Sequence, residues 1–308
     1  MLGAELLVYA KRMSGSIRHV EGALRTLWWL GRERPREIFL QNSFVLLLVC
    51  VAYRHLSFGR LRLLVADCHN KSLKRRMTGS LAPLFWALKK WSFASVDLAI
   101  VSNAALLDEA ELLKVRAMPL VDPLPDITTR GKPRASNVNN KPYVLFVCSH
   151  EPDEPTDMIA GAARALVASG EIEVVVTGAI PDEGPISELR ALEGVHLPSF
   201  VPRAEYEALM MHASAVAVLT EDDDCLCCGA YEAITCRRPT LLFRHEIARS
   251  VFGDGVHYVE PDHASLLAGL RDLVTNGREM VPTHRPDLEV RERFDREFAE
   301  VRRAIDSR

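Results

Sequence analysis

The sequence lacks a long apolar run: its longest, residues 44–53, has 10 residues. A helix that crosses a bilayer needs roughly 20, so we expect no transmembrane helix. The start of the chain lacks a basic segment, an apolar core and a cleavage motif in succession, which argues against secretion. The net charge of -3 neither favours nor excludes nucleic acid. These absences are typical of a cytoplasmic protein.

Cysteine is present seven times, an odd number that favours free thiols in a reducing compartment. Four of them, at positions 225, 227, 228 and 236, fall in one stretch and could offer thiolates to a metal. Zinc sites space paired ligands by two to four residues, with a second pair well separated, and C-x-C-C-x7-C does not have that form. The alternative is small buried cysteines beside a helix start. We expect no metal and no cofactor.

Short β-rich runs alternate with helical patterns along the chain, which predicts an α/β fold with parallel sheets. We predict strands at residues 37–40, 62–66, 98–101, 117–120, 143–149, 172–178, 195–198, 215–220 and 239–243. We predict helices at residues 17–32, 44–55, 81–94, 104–113, 156–169, 203–212, from about 229, 263–276 and 286–307. The pattern predicts two doubly wound domains, residues 1–125 and 143–280, joined by a linker rich in Pro, Asn and Ser at 126–142. A C-terminal helical segment, residues 281–308, follows them.

The stretch EDDDCLCCGAYEAITCRRPTLLF, residues 221–243, follows a predicted strand and opens a helix. Ligands of parallel sheets bind beyond the carboxyl ends of the strands, so this stretch is a candidate site. Backbone N–H groups around Gly229 and Ala230 would form an anion site at the helix start. Asp224 and Glu232 would then face one cleft, with Glu232 placed to bind ribose hydroxyls. The alternative, that residues 222–224 only cap the helix, fits the spacing equally well.

The acid-x7-Glu pattern in a second doubly wound domain resembles the retaining glycosyltransferases of the GT-B fold, family 4. FLQNS (39–43) is similar to that family's QNPP-type loop, with serine in place of proline. VADCHN (65–70) resembles the D-W-H-N element of the β-1,4-mannosyltransferase branch, with cysteine in place of tryptophan. CSHEPDEP (148–155) is similar to the acidic loop of the same branch. The resemblance covers roughly residues 30–275.

The resemblance implies a GT-B fold whose two domains face each other across a cleft, and a nucleotide-diphosphate sugar as donor substrate. It implies that Glu232 binds the donor ribose, that Asp224 lies near the donor sugar or phosphate, and that His69 faces the transferred sugar. It implies no metal. The family's opening strand and Gly-rich loop have no counterpart before residue 37, so we expect an incomplete first domain.

The family's Arg-and-Lys element is also missing after the strand at 143–149. Ser149 and His150 at that strand end, together with Arg244 after the strand at 239–243, are our candidates for contacts with the diphosphate. Arg249 is a further substitute for the missing cations. The alternative role for His69 is a structural one, in which the histidine at this strand end makes only structural hydrogen bonds.

Residues 54–91 carry nine Lys or Arg and one acid. They include LAPLFWALKKW (81–91), which mixes large apolar and aromatic residues with lysines. Such segments bind anionic lipid surfaces, and a polyprenyl-linked acceptor would make that useful. The alternative is an ordinary half-buried helix. No motif that accompanies nucleic-acid binding is present, so we expect no nucleic-acid partner.

The resulting expectation is a cytoplasmic glycosyltransferase that moves a sugar to a saccharide or polyprenyl-linked acceptor, with peripheral binding to the inner face of the membrane as a further expectation. Two alternatives remain open at this stage. One is a sugar-nucleotide epimerase of the same two-domain shape. The other is a non-catalytic homologue that binds a partner transferase or a nucleotide sugar without turnover.

Overall fold

A computed structural model describes residues 17–41, 43–69, 73, 78–127, 141–276 and 285–307. The chain divides into two compact units. Unit 1 comprises Met1–Leu120 and Glu297–Arg308, and unit 2 comprises Val121–Arg296. The predicted linker lies mostly outside the described residues. No helix in the described ranges is long and apolar enough to span a membrane.

Unit 1 contains a four-stranded parallel sheet in the order β1-β2-β3-β4. Its elements are α1 (Ile17–Glu33), β1 (Glu37–Gln41), α2 (Phe44–Leu56), β2 (Leu63–Cys68), α3 (Ala82–Phe93), β3 (Leu98–Val101), α4 (Leu107–Leu112) and β4 (Ala117–Pro119). A short 3-10 turn, Ala104–Leu106, precedes α4.

The central strand β2 is buried on both faces of the sheet. Leu64 and Ala66 pack in the core that α1, α2 and α3 share. Leu63 and Val65, which alternate with them, pack against Val301 near the end of the chain. A continuous apolar run of this kind is what a parallel strand with two covered faces requires.

Unit 2 contains a six-stranded parallel sheet in the order β10-β9-β8-β5-β6-β7. Its elements are β5 (Tyr143–Phe146), α5 (Thr156–Val167), β6 (Glu173–Thr177), β7 (Val195–Ser199), α6 (Arg203–His212), β8 (Ala215–Ala217), α7 (Cys228–Thr235), β9 (Thr240–Phe243), α8 (Glu246–Phe252), β10 (His257–Val259) and α9 (His263–Asn276). A last helix, α10 (Pro286–Asp306), begins in this unit.

The strand order of unit 2 reverses at β5. The chain runs from β5 outward through β6 and β7 and then returns to β8, on the other side of β5. Helices therefore cover both faces, and two separate clusters of buried side chains form the core. The reversal creates a crevice outside the carboxyl ends of β5 and β8, where ligands of such sheets bind.

The structure confirms the order of the predicted strands and helices, but it shortens two strands and adds two short elements. The strands predicted at 143–149 and 215–220 end at Phe146 and Ala217, so the residues after them form loops. The short helix α8 and the strand β10 were not predicted. They have seven and three residues, too few for a periodic pattern.

Candidate functional site

The candidate site lies at the crevice between β5 and β8 in unit 2. Two loops, residues 147–155 and 218–227, leave the carboxyl ends of these strands. The Thr220 hydroxyl donates to the Asp153 carboxylate at 2.8 Å. The N–H of Glu221 donates to the carbonyl oxygen of Asp153 at 2.7 Å. The two loops are therefore held together, although they lie about 70 residues apart in sequence.

The loop after β5 closes around the carboxylate of Glu154. The N–H of Ser149 donates to both of its oxygens, at 2.9 and 3.0 Å, and the Ser149 hydroxyl donates to one at 2.9 Å. The N–H of His150 donates to the same carboxylate. His150 has φ 60°, and a left-handed residue in such a loop points successive N–H groups at one point. Ser149 and His150, both predicted site residues, thus form a cradle for an oxyanion.

The imidazole of His150 lies against the end of β6. Gly178 follows that strand with φ 102°, and a Cβ there would lie 2.2 Å from the carbonyl oxygen of Cys148 and 3.2 Å from Cδ2 of His150. The glycine is therefore required by both its backbone angle and its neighbours. Within the described ranges neither ring nitrogen of His150 has a hydrogen-bond partner, although both atoms are buried.

The loop after β8 is shaped by a buried histidine. His245, 8% exposed, lies two residues after the end of β9. Its Nε2 lies 2.9 Å from the carbonyl oxygen of Thr220, and its Nδ1 lies 2.8 Å from a carboxylate oxygen of Asp223. His245 is not among the site residues predicted from the sequence. Its position at a strand end next to β8 was the signal that could have identified it.

Asp224 lies in this loop at a turn that begins with Asp222. The N–H of Asp224 donates to Oδ1 of Asp222 at 3.2 Å, and the N–H of Asp222 donates to the Thr220 hydroxyl at 3.1 Å. Side-chain turns of this type are typical of aspartate. Asp224 is half-buried.

Helix α7 begins against the sheet. The side chain of its N-cap residue, Cys227, makes no capping hydrogen bond. Gly229 and Ala230 are buried in the first turn. A Cβ at Gly229 would lie 2.9 Å from Cγ1 of Val147 and 3.3 Å from Cγ1 of Val218. Glycine therefore lets the amino end of the helix, with its partial positive charge, lie close to both strands.

Glu232 lies one turn beyond that start and faces α6. Its Oε2 accepts a hydrogen bond of 2.6 Å from the Tyr206 hydroxyl. Burial, and then the Glu232 carboxylate, raise the pKa of Tyr206, so the phenol is the donor. A short bond to a charged acceptor is among the strong ones, and it fixes the orientation of Glu232.

The cysteines of the stretch are thiols. Sγ of Cys225 lies 3.9 Å from Sγ of Cys227. That contact, burial and the nearby carboxylates of Asp153 and Glu154 raise the pKa of Cys227. Burial and nearby carboxylates also raise the pKa of Cys228. Among the described residues, no group of three His, Cys, Asp or Glu side chains is placed to share a metal ion.

Arg244 makes its hydrogen bonds away from this crevice. Its Nε donates to Glu260 at 2.7 Å and its Nη2 to the carbonyl oxygen of Tyr258 at 3.4 Å. Both partners belong to β10 and the residue after it, on the outer side of the sheet. There Arg244 lines an open cavity of about 380 Å³ that also includes His257 and Asp272.

His69 lies in unit 1, directly after β2. Its Nε2 is 3.9 Å from Oδ1 of Asp67, and the two side chains are 34% and 41% exposed. Gln41, at the end of β1, pairs in register with Asp67. The Ser43 hydroxyl accepts from the N–H of Leu46 at 3.4 Å and caps α2. Asn42 and Asn70, the neighbours that the motifs include, lie outside the described residues.

Comparison with solved structures shows which fold this is. The structure of HepE from Anabaena with UDP and glucose is similar over 97% of this chain and 85% of that chain, with 14% identity and TM-score 0.73. A trehalose-phosphate synthase from Burkholderia xenovorans, with glucose-6-phosphate, is similar over 95% and 79%, with 15% identity and TM-score 0.69. The chain has the GT-B fold.

A third solved structure with this fold, from Listeria monocytogenes, is assigned to the UDP-N-acetylglucosamine 2-epimerases. It is similar over 97% of this chain and 82% of that chain, with 12% identity and TM-score 0.60. No family profile matches the chain, and no curated protein matches it in sequence. At these identities the similarity establishes the α/β architecture with two parallel sheets, as the sequence predicted.

Proposed function

We propose that this protein is a retaining glycosyltransferase that moves a sugar from a nucleotide-diphosphate sugar to a saccharide or polyprenyl-linked acceptor. The observation that carries the proposal is the start of α7, which packs closely against the ends of β5 and β8 through Gly229, with Glu232 held one turn further on by Tyr206. A helix start binds phosphate, and a fixed carboxylate beside it suits the hydroxyls of a ribose.

The roles of the individual residues are assigned from the motif resemblance. The N–H groups around Gly229 and Ala230 bind the diphosphate and stabilise its charge as it departs, and Glu232 binds the ribose. Asp224, in the loop before the helix, lies near the donor sugar. His69, in unit 1, orients the transferred sugar. Catalysis then depends on positioning and on charge stabilisation, without a metal.

The comparisons support this proposal through what the similar proteins bind. HepE is described with UDP-glucose and with UDP, and sucrose-phosphate synthase from Thermosynechococcus elongatus has the same fold, with 16% identity and TM-score 0.63. The motif resemblances favour family 4 and, within it, the mannosyltransferase branch.

Turnover tests the proposal directly. The purified chain, in EDTA, is incubated with UDP-, GDP- and ADP-sugars, and released nucleoside diphosphate is measured with and without oligosaccharide or polyprenyl-phosphate-linked acceptors. We expect release from one donor, retention of its anomeric configuration in the product, and loss of release in Glu232→Ala. Release that requires a divalent metal would contradict the mechanism, and no release from any donor would contradict the function.

An epimerase is the second candidate, because a protein assigned to that class has the same fold. The same incubation separates the two functions. An epimerase converts the donor into a second nucleotide sugar without an acceptor, which proton NMR of the sugar detects. A non-catalytic homologue would bind a nucleotide and release nothing.

We further propose that unit 1 binds an anionic membrane surface, on the inner face of the membrane. Its sequence carries 21 Lys and Arg against 12 Asp and Glu, whereas unit 2 carries 17 against 29. The formal charges are therefore +9 and -12. Each basic residue near an anionic bilayer contributes about 1 kcal/mol, so this asymmetry favours the approach of unit 1.

Exposed apolar side chains in unit 1 supply the second part of such a surface. On α1, residues at helical spacing are exposed on one face: Val20, Leu24, Leu27 and Trp28. On α3, the exposed apolar residues are Leu84, Leu88 and Trp91.

Vesicle co-sedimentation tests the membrane proposal. The protein should co-sediment with phosphatidylglycerol vesicles and should not co-sediment with phosphatidylcholine vesicles. Trp28→Ser with Leu24→Ser should weaken this binding. Equal binding to both vesicles, or to neither, would contradict the membrane proposal.

A further inference from the structure

The cradle formed by Ser149 and His150 after β5 is occupied by a carboxylate of the same chain, that of Glu154. The N–H groups of Ser149 and His150 and the Ser149 hydroxyl all donate to Glu154. Such a cluster of converging N–H groups, with a left-handed residue, binds oxyanions such as phosphate as readily as carboxylate. Glu154 therefore occupies donors that a phosphate could use.

The position of this cradle places it at the proposed donor site. It lies at the end of β5, next to β8, and Asp153 joins it to the loop that leads to α7. The Glu154 and Asp153 carboxylates are close enough to α7 to contribute to the raised pKa of its N-cap residue, Cys227. A diphosphate at the start of α7 would come close to the same two carboxylates.

The loop offers no cation that would offset them. Residues 147–155, VCSHEPDEP, contain three acids and no Lys or Arg. A diphosphate that approaches this edge therefore meets like charge, unless the carboxylate at the cradle moves away. The His150 ring, whose buried nitrogens have no hydrogen-bond partner among the described residues, belongs to the same loop.

We propose that Glu154 is a built-in competitor of the donor diphosphate: it holds the Ser149 and His150 N–H groups in the free protein and is displaced when the donor binds. This proposal rests on the proposed function and adds a regulatory contact to it. Donor binding must break the bonds to Glu154, so the glutamate sets a low affinity and makes the loop change conformation at each turnover.

The test compares two variants, each of which neutralises one of two acidic side chains that lie three residues apart in sequence. Glu154→Gln keeps the shape of the side chain but weakens its hydrogen bonds, since a neutral acceptor binds about half as strongly. Asp157→Asn removes the same charge from an exposed residue in the first turn of α5. Titration calorimetry with inorganic diphosphate, uridine and UDP, and with GDP and ADP where UDP does not bind, measures the affinity of each variant. Melting without ligand checks that each variant is folded.

We expect Glu154→Gln to bind UDP and inorganic diphosphate about tenfold more tightly than the wild type, a free-energy gain of about 1.4 kcal/mol. Asp157→Asn should change both affinities less than twofold, and uridine binding should not respond to either substitution. Equal or weaker diphosphate binding by a folded Glu154→Gln would overturn the proposal, because Glu154 would then maintain the cradle.

The probes separate this proposal from the proposed function. If inorganic diphosphate binds more tightly to Glu154→Gln but no nucleotide binds any variant, the competitor role holds and the nucleotide-sugar function fails. If UDP binds the wild type and Glu154→Gln equally, the function stands and the competitor role fails. If neither inorganic diphosphate nor any of UDP, GDP and ADP binds any variant, both fail.

Discussion

Substituting Gly229 by alanine tests the packing that brings α7 against the sheet. The added Cβ would lie 2.9 Å from Cγ1 of Val147 and 3.3 Å from Cγ1 of Val218. Carbon atoms in contact normally lie about 3.5–4.0 Å apart, so the helix start or Val147 must move. Because Val147 follows β5 and Val218 follows β8, the displacement falls on the crevice itself.

The expected magnitude combines two opposite effects. Alanine within a helix is favoured over glycine by about 0.5–1 kcal/mol. Overpacking a well-packed position costs about 1–3 kcal/mol. The net expectation for Gly229→Ala is a destabilisation of about 1–2 kcal/mol. Nucleotide binding should also weaken, because the backbone N–H groups in the first turn of α7 are displaced from the crevice.

The matched control is Gly22→Ala in α1, where no atom lies within 4 Å of the added Cβ. This variant should be more stable than the wild type by about 0.5–1 kcal/mol. Urea unfolding is followed by circular dichroism for the whole chain and by tryptophan fluorescence for unit 1, which holds all four tryptophans. If Gly229→Ala were as stable as Gly22→Ala relative to the wild type, the close packing of α7 would be refuted.

Three further predictions address other contacts. Tyr206→Phe should cost about 1 kcal/mol of stability and weaken binding of UDP more than binding of inorganic diphosphate, since it releases Glu232; equal weakening in calorimetry would contradict the ribose role. Burial lowers the pKa of Lys89, whose Nζ donates to the carbonyl oxygen of Leu73, to about 8. Between pH 8 and 10, Lys89 therefore binds more protons in the unfolded chain than in the folded one. The free energy of unfolding of the wild type should accordingly rise by about 2 kcal/mol over this range, relative to that of Lys89→Met. Urea midpoints of the two proteins that run parallel across this pH range would contradict this. Cys228 is exposed at the start of α7, so bound UDP should slow its alkylation by iodoacetamide in mass spectrometry, and an unchanged rate would place the nucleotide elsewhere.

The order of the elements was predictable because burial leaves a direct trace in sequence. Val174, Val175 and Val176 of β6 are all 0% exposed, and only a strand covered on both faces requires such a run. The carboxyl ends of these strands then indicated where polar side chains would gather. Ser149, His150 and Asp224 were selected as candidate site residues in this way.

The contacts of the site could not be predicted because they depend on exact backbone geometry. The turn at His150, with φ 60°, directs two N–H groups at Glu154, and no sequence pattern specifies that angle for a histidine. The bond from Tyr206 to Glu232 depends on how α6 packs beside α7. Arg244 was selected for its position after β9, but its guanidinium pairs with Glu260 on the β10 side.

Nucleotide binding to unit 2 tests the central claim most directly. Thermal shift of the wild type and of Glu232→Ala is measured with UDP, GDP and ADP in EDTA, each at concentrations up to a hundred times its dissociation constant. One nucleotide should stabilise the wild type by about 2.7 kcal/mol and leave Glu232→Ala almost unchanged. If none of the three shifted the wild type, or if the shift were the same in Glu232→Ala, the proposed donor site at α7 would be contradicted.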